Sequence, residues 1–343
     1  MISEAAVRDA LKSVKYPGFS RDIVSFGLVK KVAIHGDDVT IQIALTTAEP
    51  SIARIIKESS EKALRDAGVL GRTNILIDIQ APAHPQSPVG PQSIPGVRSV
   101  IAVASGKGGV GKSTVAANLA LALAADGPAV GLCDCDIYGP SIALMFGTKD
   151  RPLADENNQI LPVQCHGIKM MSMGLLLDDG SPAVLRGPMV TRYTQQLLRQ
   201  VAWAPLDILV LDLPPGTGDI QLTIVQTVAL AGAIIVTTPQ EVALIDARKA
   251  IGMFAKTNVP VLGIVENMSY FLCPSDQTKY HIFGEGGGER EARRFNTELL
   301  GRIPIEINLR EAGDRGIPAI LSHPESPASL EFQSISKKIL SKI

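Results

Sequence analysis

The run SGKGGVGKST, residues 105–114, sets Gly106, Gly111, Lys112 and Ser113 at the spacing G-x-x-x-x-G-K-S. That spacing suits an anion. Glycines let successive backbone N–H groups turn inward around phosphate oxygens, the lysine adds a cation, and the serine hydroxyl can bind Mg2+. Gly106, Gly108, Gly109, Val110, Gly111, Lys112, Ser113 and Thr114 are therefore the expected nucleotide-binding loop. Two acidic segments fit the same chemistry. In GLCDCDIYG the strand period of two puts Asp134 and Asp136 on one face, free to turn toward Mg2+ or an attacking water, with Cys133 and Cys135 on the other. In DILVLDLPPGTGD an apolar run ends at Asp212, the place where ligands of open α/β sheets gather, and a Pro-Pro-Gly loop then delivers Asp219. The alternative reading of these acids, as strand-end turn residues and helix caps, carries less weight beside the phosphate loop. A third feature is Cys273, which heads a Cys-Pro-x-Asp run in YFLCPSDQTKYHIFG, residues 270–284, where a metal site would want a second thiolate.

The elements that must position these residues follow from the hydrophobic pattern. Apolar runs SVIAVAS, AVGLCDCD, DILVLDL, GAIIVTTP and VPVLGIVENM recur between helical stretches. Unbroken apolar strands alternating with helices predict an α/β fold whose mainly parallel sheet is covered by helices on both faces. The loop at 105–114 then joins a strand to the positive end of the helix KSTVAANLALALAAD. Residues 81–96 are rich in Pro, Gly, Ser and Gln and read as a linker. Before it, residues 1–80 predict a small α/β domain: an amphipathic helix, two alternating strands around Gly36, Asp37 and Asp38, a second helix, and the strand NILIDI. Residues 97–343 form the large domain.

The whole-chain numbers set limits on function. Lys+Arg at 33 against Asp+Glu at 34 leaves a net charge of -1, so no global basic field points to nucleic acid, and any bound anion must be held locally. The sequence shows no secretory signal pattern and no run of about 18 apolar residues, so a cytoplasmic location is expected. Four cysteines in 343 residues make no disulfide framework.

Lys107, directly after the first glycine, makes GKGGVGKST resemble the deviant Walker A motif of the MinD, ParA and nitrogenase iron protein superfamily. Within that group, DCDIYGPS, DLPPGTGDIQLT, VENMSYFLCP, IFGEGGGE and LGRIPIEINLREAGDRGIP are closely similar, in order, to the Mrp/ApbC family of iron-sulfur cluster carrier ATPases. The first 80 residues resemble the small domain that often precedes this ATPase, through IVSFGLVKKV and IALTT. The resemblance implies ATP and Mg2+ as cofactors, a homodimer, and an iron-sulfur cluster, of the 4Fe-4S type if one is bound, passed between scaffold and apo-protein partners. It implies that Lys107 reaches the nucleotide of the other subunit, that Lys112 holds the β- and γ-phosphates, and that Ser113, Asp134 and Asp212 serve Mg2+. Asp136 would orient the hydrolytic water, Asp219 would lie in a loop that senses the γ-phosphate, and Asn267 with Pro304 would read the adenine. Arg186, in VLRGPM, falls in a block similar to the family's.

The family pattern after NMSYF is Cys-Pro-x-Cys, two thiolates from each subunit holding one cluster. Here Asp276 stands at the second position, leaving Cys273 as the candidate iron-sulfur ligand with Asp276, His281 or an external thiol to complete the shell. The segment LTTAEPSI also lacks the cysteine that relatives often carry there. The alternative function is a MinD-like ATP-dependent dimerising regulator that binds protein or membrane partners without a cluster. Its support is the C-terminal SLEFQSISKKILSKI, where Phe332, Ile335, Ile339 and Ile343 form an apolar stripe beside Lys337, Lys338 and Lys342. A helix packed on the domain core would show the same pattern. No nucleic-acid or membrane partner is expected.

Overall fold

The computed structural model describes residues 3–15, 22–25, 27–35, 38–46, 50–69, 71–80, 90–156, 159–176 and 187–343. The chain divides into two units, Met1–Val89 and Gly90–Ile343.

In the first unit α1 (Glu4–Leu11) starts at Ser3, whose side chain accepts from the Ala6 N–H, and buries Val7 and Leu11. Strands β1 (Val29–His35), β2 (Asp38–Thr46) and β3 (Thr73–Gln80) make a sheet in that order, with β1 antiparallel and β3 parallel to β2; α2 (Pro50–Asp66) precedes β3. Along β2 the alternate residues Val39, Ile41, Ile43 and Leu45 are fully buried, the half-buried pattern of a sheet with one covered face. Gly36 and Asp37, expected at the turn, and residues 47–49 of the LTTAEPSI segment lie outside the described residues.

In the second unit the strands and helices alternate: β4 (Val97–Ala104), α3 (Lys112–Ala125), β5 (Val130–Asp134), α4 (Ile142–Met145), β6 (Val163–Cys165), β7 (Ile168–Ser172), α5 (Gly187–Arg199), β8 (Leu206–Asp212), α6 (Asp219–Thr227), β9 (Gly232–Thr237), α7 (Glu241–Lys256) and β10 (Val261–Glu266). A short hairpin of β11 (Phe271–Leu272) and β12 (Lys279–Tyr280) leads to α8 (Gly287–Arg294), β13 (Leu299–Arg302), α9 (Ile307–Arg315), α10 (Ala319–Ser322) and α11 (Pro327–Leu340). The main sheet has the order β13-β10-β9-β4-β8-β5-β7-β6, parallel except for β6. Along β4, Ile101 and Val103 enter one core with α3 and α11, while Val100, Ala102 and Ala104 enter a second core with α6 and α7. Alternation across a sheet buried on both faces requires this split.

Two expectations need correcting. The stretch read as a linker over 81–96 does not stand free throughout. Residues 81–89 lie outside the described residues, but Gln92 pairs with Val228 and Ile94 is buried, so backbone pairing and one apolar anchor fasten 90–96 to the second unit. The strand carrying Asp134 ends at that residue, and Asp136 follows in a loop rather than in the strand.

The C-terminal stripe packs inward. Phe332, Ile335 and Ile339 are fully buried against the core shared with α3. Lys338 and Lys342 donate to the carbonyls of Leu300 and Leu262 and pair with Glu298. Among the described residues no helix is long and apolar enough to cross a membrane.

Candidate functional site: a phosphate loop with two buried acids

Three neighbouring strands, β4, β8 and β5, end together and converge their last residues. The loop after β4 reverses direction through Gly109 and Gly111, at φ 79° and 78°, a left-handed conformation open to glycine at little cost. A methyl at Gly111 would also overlap the Asn267 Nδ2, and one at Gly106 the backbone of Asp246 in α7. Helix α3 begins at Lys112 with no side-chain cap. Its first N–H groups and its positive end are thus left for an anion. Ser113 and Thr114 follow in the first turn.

Lys112 is buried, and its Nζ lies 2.5 Å from Asp212 Oδ1 and 3.3 Å from Ser113 Oγ. Asp212 is fully buried, and its Oδ2 has no hydrogen-bond partner among the described residues. Asp134, its register partner on β5, is also fully buried. Asp134 accepts from Asp136 N (3.1 Å), Ser141 N (3.1 Å), Ile142 N (3.2 Å) and Ser172 Oγ (3.0 Å). Burial, and then the Asp212 carboxylate, push the Asp134 carboxyl up to about 7. Burial pushes Asp212 up too, opposed by the Lys112 ammonium. Two buried carboxylates, one with an orphaned oxygen, beside a lysine and a serine hydroxyl form a site short of positive charge. That donor set fits Mg2+ with a nucleotide, and Ser113, Asp134 and Asp212 are the residues that would hold the metal. The metal would supply charge neutralisation at the phosphates.

The raised Asp134 value makes the nucleotide-free fold sensitive to pH. A carboxyl with a higher value folded than unfolded stabilises the fold while protonated, so the contribution is whole below its ordinary 3.8 and lost as pH rises through about 7. Without Mg2+ the protein should lose up to about 4 kcal/mol between pH 4 and 8 from this group. Asp22, Asp276 and Glu298 are held below their ordinary values of 3.8, 3.8 and 4.5, so their contributions fade only in acid and do not mask the slope. Thermal melts across this range should show the decline in wild type and a flatter profile in Asp134→Asn. Equal slopes would refute the assignment.

Asp136 is half-buried; its backbone N–H donates to Asp134 and its Oδ1 accepts from Gly139 N at 3.2 Å. Asp219 stands exposed in the first turn of α6, and its carboxylate makes no hydrogen bond among the described residues. Lys107 is half-exposed, and among the described residues its ammonium has no ion-pair partner. Gly108 and Gly109 beside it are exposed, while Val110 is buried. Arg186 lies outside the described residues.

Beside the loop opens a cleft of about 480 Å³, lined by Gly111, Thr114, Asn267, Met268, Pro304 and Ile305 among others. Asn267, one residue beyond β10, donates from Nδ2 to the Val110 carbonyl at 2.8 Å, so the cleft wall is tied to the phosphate loop. Asn118 also lines the cleft and clamps it, donating to Thr114 O and accepting from Ile320 N. Sequence reasoning passed over Asn118, although a lone polar residue in NLALALAA is a visible signal. It also missed Ser172, which no local spacing links to Asp134.

Cys273 sits at the tip of the β11–β12 hairpin, away from these acids in the sequence and partly exposed. Its N–H donates to Thr278 O, its carbonyl accepts from Gln277 N, and its Sγ lies 3.1 Å from Ser275 Oγ. Asp276 accepts from Thr278 N at 2.9 Å, and this bond, with the Cys273 thiol, holds its carboxyl below the usual range. His281 approaches Glu285 at 3.7 Å. Among the described residues no three His, Cys, Asp or Glu side chains group to hold a metal ion. Cys133 and Cys135 are fully buried with Sγ atoms 3.8 Å apart. The glycine-dense FGEGGGER turns into α8, where Gly287 and Gly288 allow close approach to Pro239 and Glu266.

Known proteins are similar to this chain. A family model described as NUBPL iron-transfer P-loop NTPase matches residues 96–340, and one described as iron-sulfur cluster assembly protein matches residues 4–77. The iron-sulfur cluster carrier protein of Synechocystis sp. is 44% identical over 348 residues, covering 100% of this chain and 98% of its own. The iron-sulfur cluster transfer protein NUBPL of Dictyostelium discoideum is 48% identical over 262 residues, 76% of this chain and 81% of its own. Among solved structures, a nucleotide-binding protein of Archaeoglobus fulgidus in complex with ADP is 40% identical, with a TM-score of 0.60 over 69% of this chain and 92% of that one. The cell division ATPase MinD of Pyrococcus furiosus, 24% identical, shares the fold at a TM-score of 0.54 over 71% of this chain and 98% of its own. With buried acids at the ends of β5 and β8 and a phosphate loop after β4, the chain belongs to the NUBPL family of iron-transfer P-loop NTPases.

Proposed function

We propose that this chain is an ATP-hydrolysing carrier of iron-sulfur clusters that works as a homodimer, closing on ATP and handing its cluster to apo-proteins. The observation that carries the reading is a nucleotide site and a partly exposed thiol on one short path. Asn267 bonds the phosphate loop through Val110, Ile305 N donates to Tyr270 O at 2.7 Å, and Cys273 follows three residues later. A shift at the nucleotide has only six residues to cross before it reaches the hairpin tip.

Within the ATP site each residue has a role that its position allows. Lys112 releases Asp212 to hold the β- and γ-phosphates, and Ser113, Asp134 and Asp212 serve Mg2+. Asp136 orients the water, Asp219 reports on the γ-phosphate from the start of α6, and Asn267 and Pro304 bound the adenine. Lys107, without an ion-pair partner among the described residues, supplies a charge to the partner's nucleotide. Positioning and charge account for most phosphoryl-transfer catalysis, so no covalent intermediate is required.

The cargo is the cluster. One subunit offers a single thiolate at Cys273, so two copies supply two of the four ligands that clusters usually take, with Asp276 and an external thiol to complete the set. Anaerobic loading with iron and sulfide should give one cluster per dimer by iron and sulfide content and visible spectrum, and Cys273→Ser should lose it. No cluster in either protein, with ATP turnover intact, would leave a dimerising ATPase with a different cargo. The membrane-regulator alternative loses its main support, because the apolar stripe of α11 is spent on the domain core.

A further inference from the structure

Gln221, on the first turns of α6, is buried, and its side chain is half satisfied. Nε2 donates to the Pro214 carbonyl at 2.6 Å, while Oε1 is buried with no partner among the described residues. A buried amide oxygen without a donor is a standing penalty that a native core seldom keeps without a use. The sequence explains why it is unpaired: residues 214 and 215 are both prolines, so the backbone beside the carbonyl that Gln221 holds has no N–H to offer. The nearest N–H groups along the loop belong to Leu213 and Gly216. Leu213 N is engaged by Val103 O and Gly216 N by Ser105 O, both at 3.0 Å. Gly216 sits at φ 95°, and Thr217 and Gly218 after it are exposed.

Beyond Leu213 the loop leading to Asp219 is thus fastened at two points. One bond ties it to the phosphate loop at Ser105 and one ties it to α6 at Gln221. We propose that Gln221 is the positioning residue that gives this loop two defined states. In the state seen here its amide holds Pro214. When the loop moves toward a γ-phosphate, the Gly216 or Thr217 N–H leaves its present place and Oε1 receives it. The unsatisfied oxygen is a docking point kept open for the second state. This rests on the reading of 212–219 as the nucleotide-sensing loop.

The test is Gln221→Met, which keeps length and volume but can neither hold Pro214 nor accept an N–H. Melting temperature of the nucleotide-free protein and steady-state ATP hydrolysis are measured beside wild type. The expected result is a melting temperature within a few degrees of wild type, since the unpaired Oε1 is gone while the Pro214 carbonyl loses its donor, with kcat lowered about tenfold, the rate equivalent of one ordinary hydrogen bond. KM for ATP should stay within about twofold, because Gln221 touches no part of the nucleotide cleft. Gln221→Asn, whose amide is one methylene too short to reach Pro214, should show the same loss of kcat and serves if the methionine variant fails to fold. Wild-type kcat in either folded variant would overturn the proposal and make Gln221 a packing residue. A kcat loss accounted for by the fraction of protein unfolded at the assay temperature would overturn it as well. If wild type hydrolyses no ATP, the nucleotide-sensing reading itself fails and takes this proposal with it.

Discussion

Lys112→Met abolishes ATP turnover, by about a thousandfold or more, and also destabilises the nucleotide-free protein. The second effect follows from the buried pair. Asp212 is fully buried with one oxygen already unpaired, and the Lys112 ammonium at 2.5 Å is its compensating charge. Removing one partner of a buried ion pair leaves an uncompensated charge and costs about 3 kcal/mol. The double variant Lys112→Met with Asp212→Asn removes the charge along with its partner, so most of that stability returns while turnover stays absent. Chemical denaturation of the four proteins closes the cycle. A double variant no more stable than the single one would show that Lys112 acts through packing instead of charge.

Lys107→Ala loses turnover to a similar degree, about a thousandfold, with the opposite stability signature. Its ammonium has no ion-pair partner among the described residues and is half-exposed, so its removal changes stability by less than about 0.5 kcal/mol. The decisive form of this experiment mixes the two dead variants. If Lys107 serves the partner's nucleotide, a mixed dimer has one working site, built from Lys112 of one subunit and Lys107 of the other. An equal mixture then recovers up to about a quarter of wild-type turnover, as random pairing across a two-fold interface requires. No recovery in a mixture shown to exchange subunits would place Lys107 in its own subunit's site.

The phosphate loop and the two buried acids were legible in the sequence because each depends on local rules. Glycine spacing, an apolar strand and a helix start specify the loop, and Asp134 and Asp212 end apolar runs. The strands β4, β5, β8, β9 and β10 were readable for the same reason, since each is an unbroken apolar run. What the sequence left hidden depends on distant contacts. β6, at three residues, and β7, reading IKMMS, carry too little pattern to declare themselves. The Ser172 hydroxyl on Asp134 bridges 38 residues, and the Asn267 amide on Val110 bridges 157. The extension of the strand to Asp136 failed because strand periodicity says nothing about where a strand stops. Whether α11 faced lipid or core was likewise undecidable from its stripe, and burial of Phe332 settles which surface it covers.

The account turns on the nucleotide governing the cargo. The direct test loads the protein anaerobically with iron and sulfide and follows cluster arrival on an apo-protein acceptor by visible spectroscopy, without nucleotide, with Mg-ADP and with Mg-ATP. The account predicts transfer rates that differ by about tenfold or more between Mg-ATP and the nucleotide-free protein, a typical coupling between two sites, and no difference in Lys112→Met. Equal rates under all three conditions, with ATP hydrolysis intact, would contradict it.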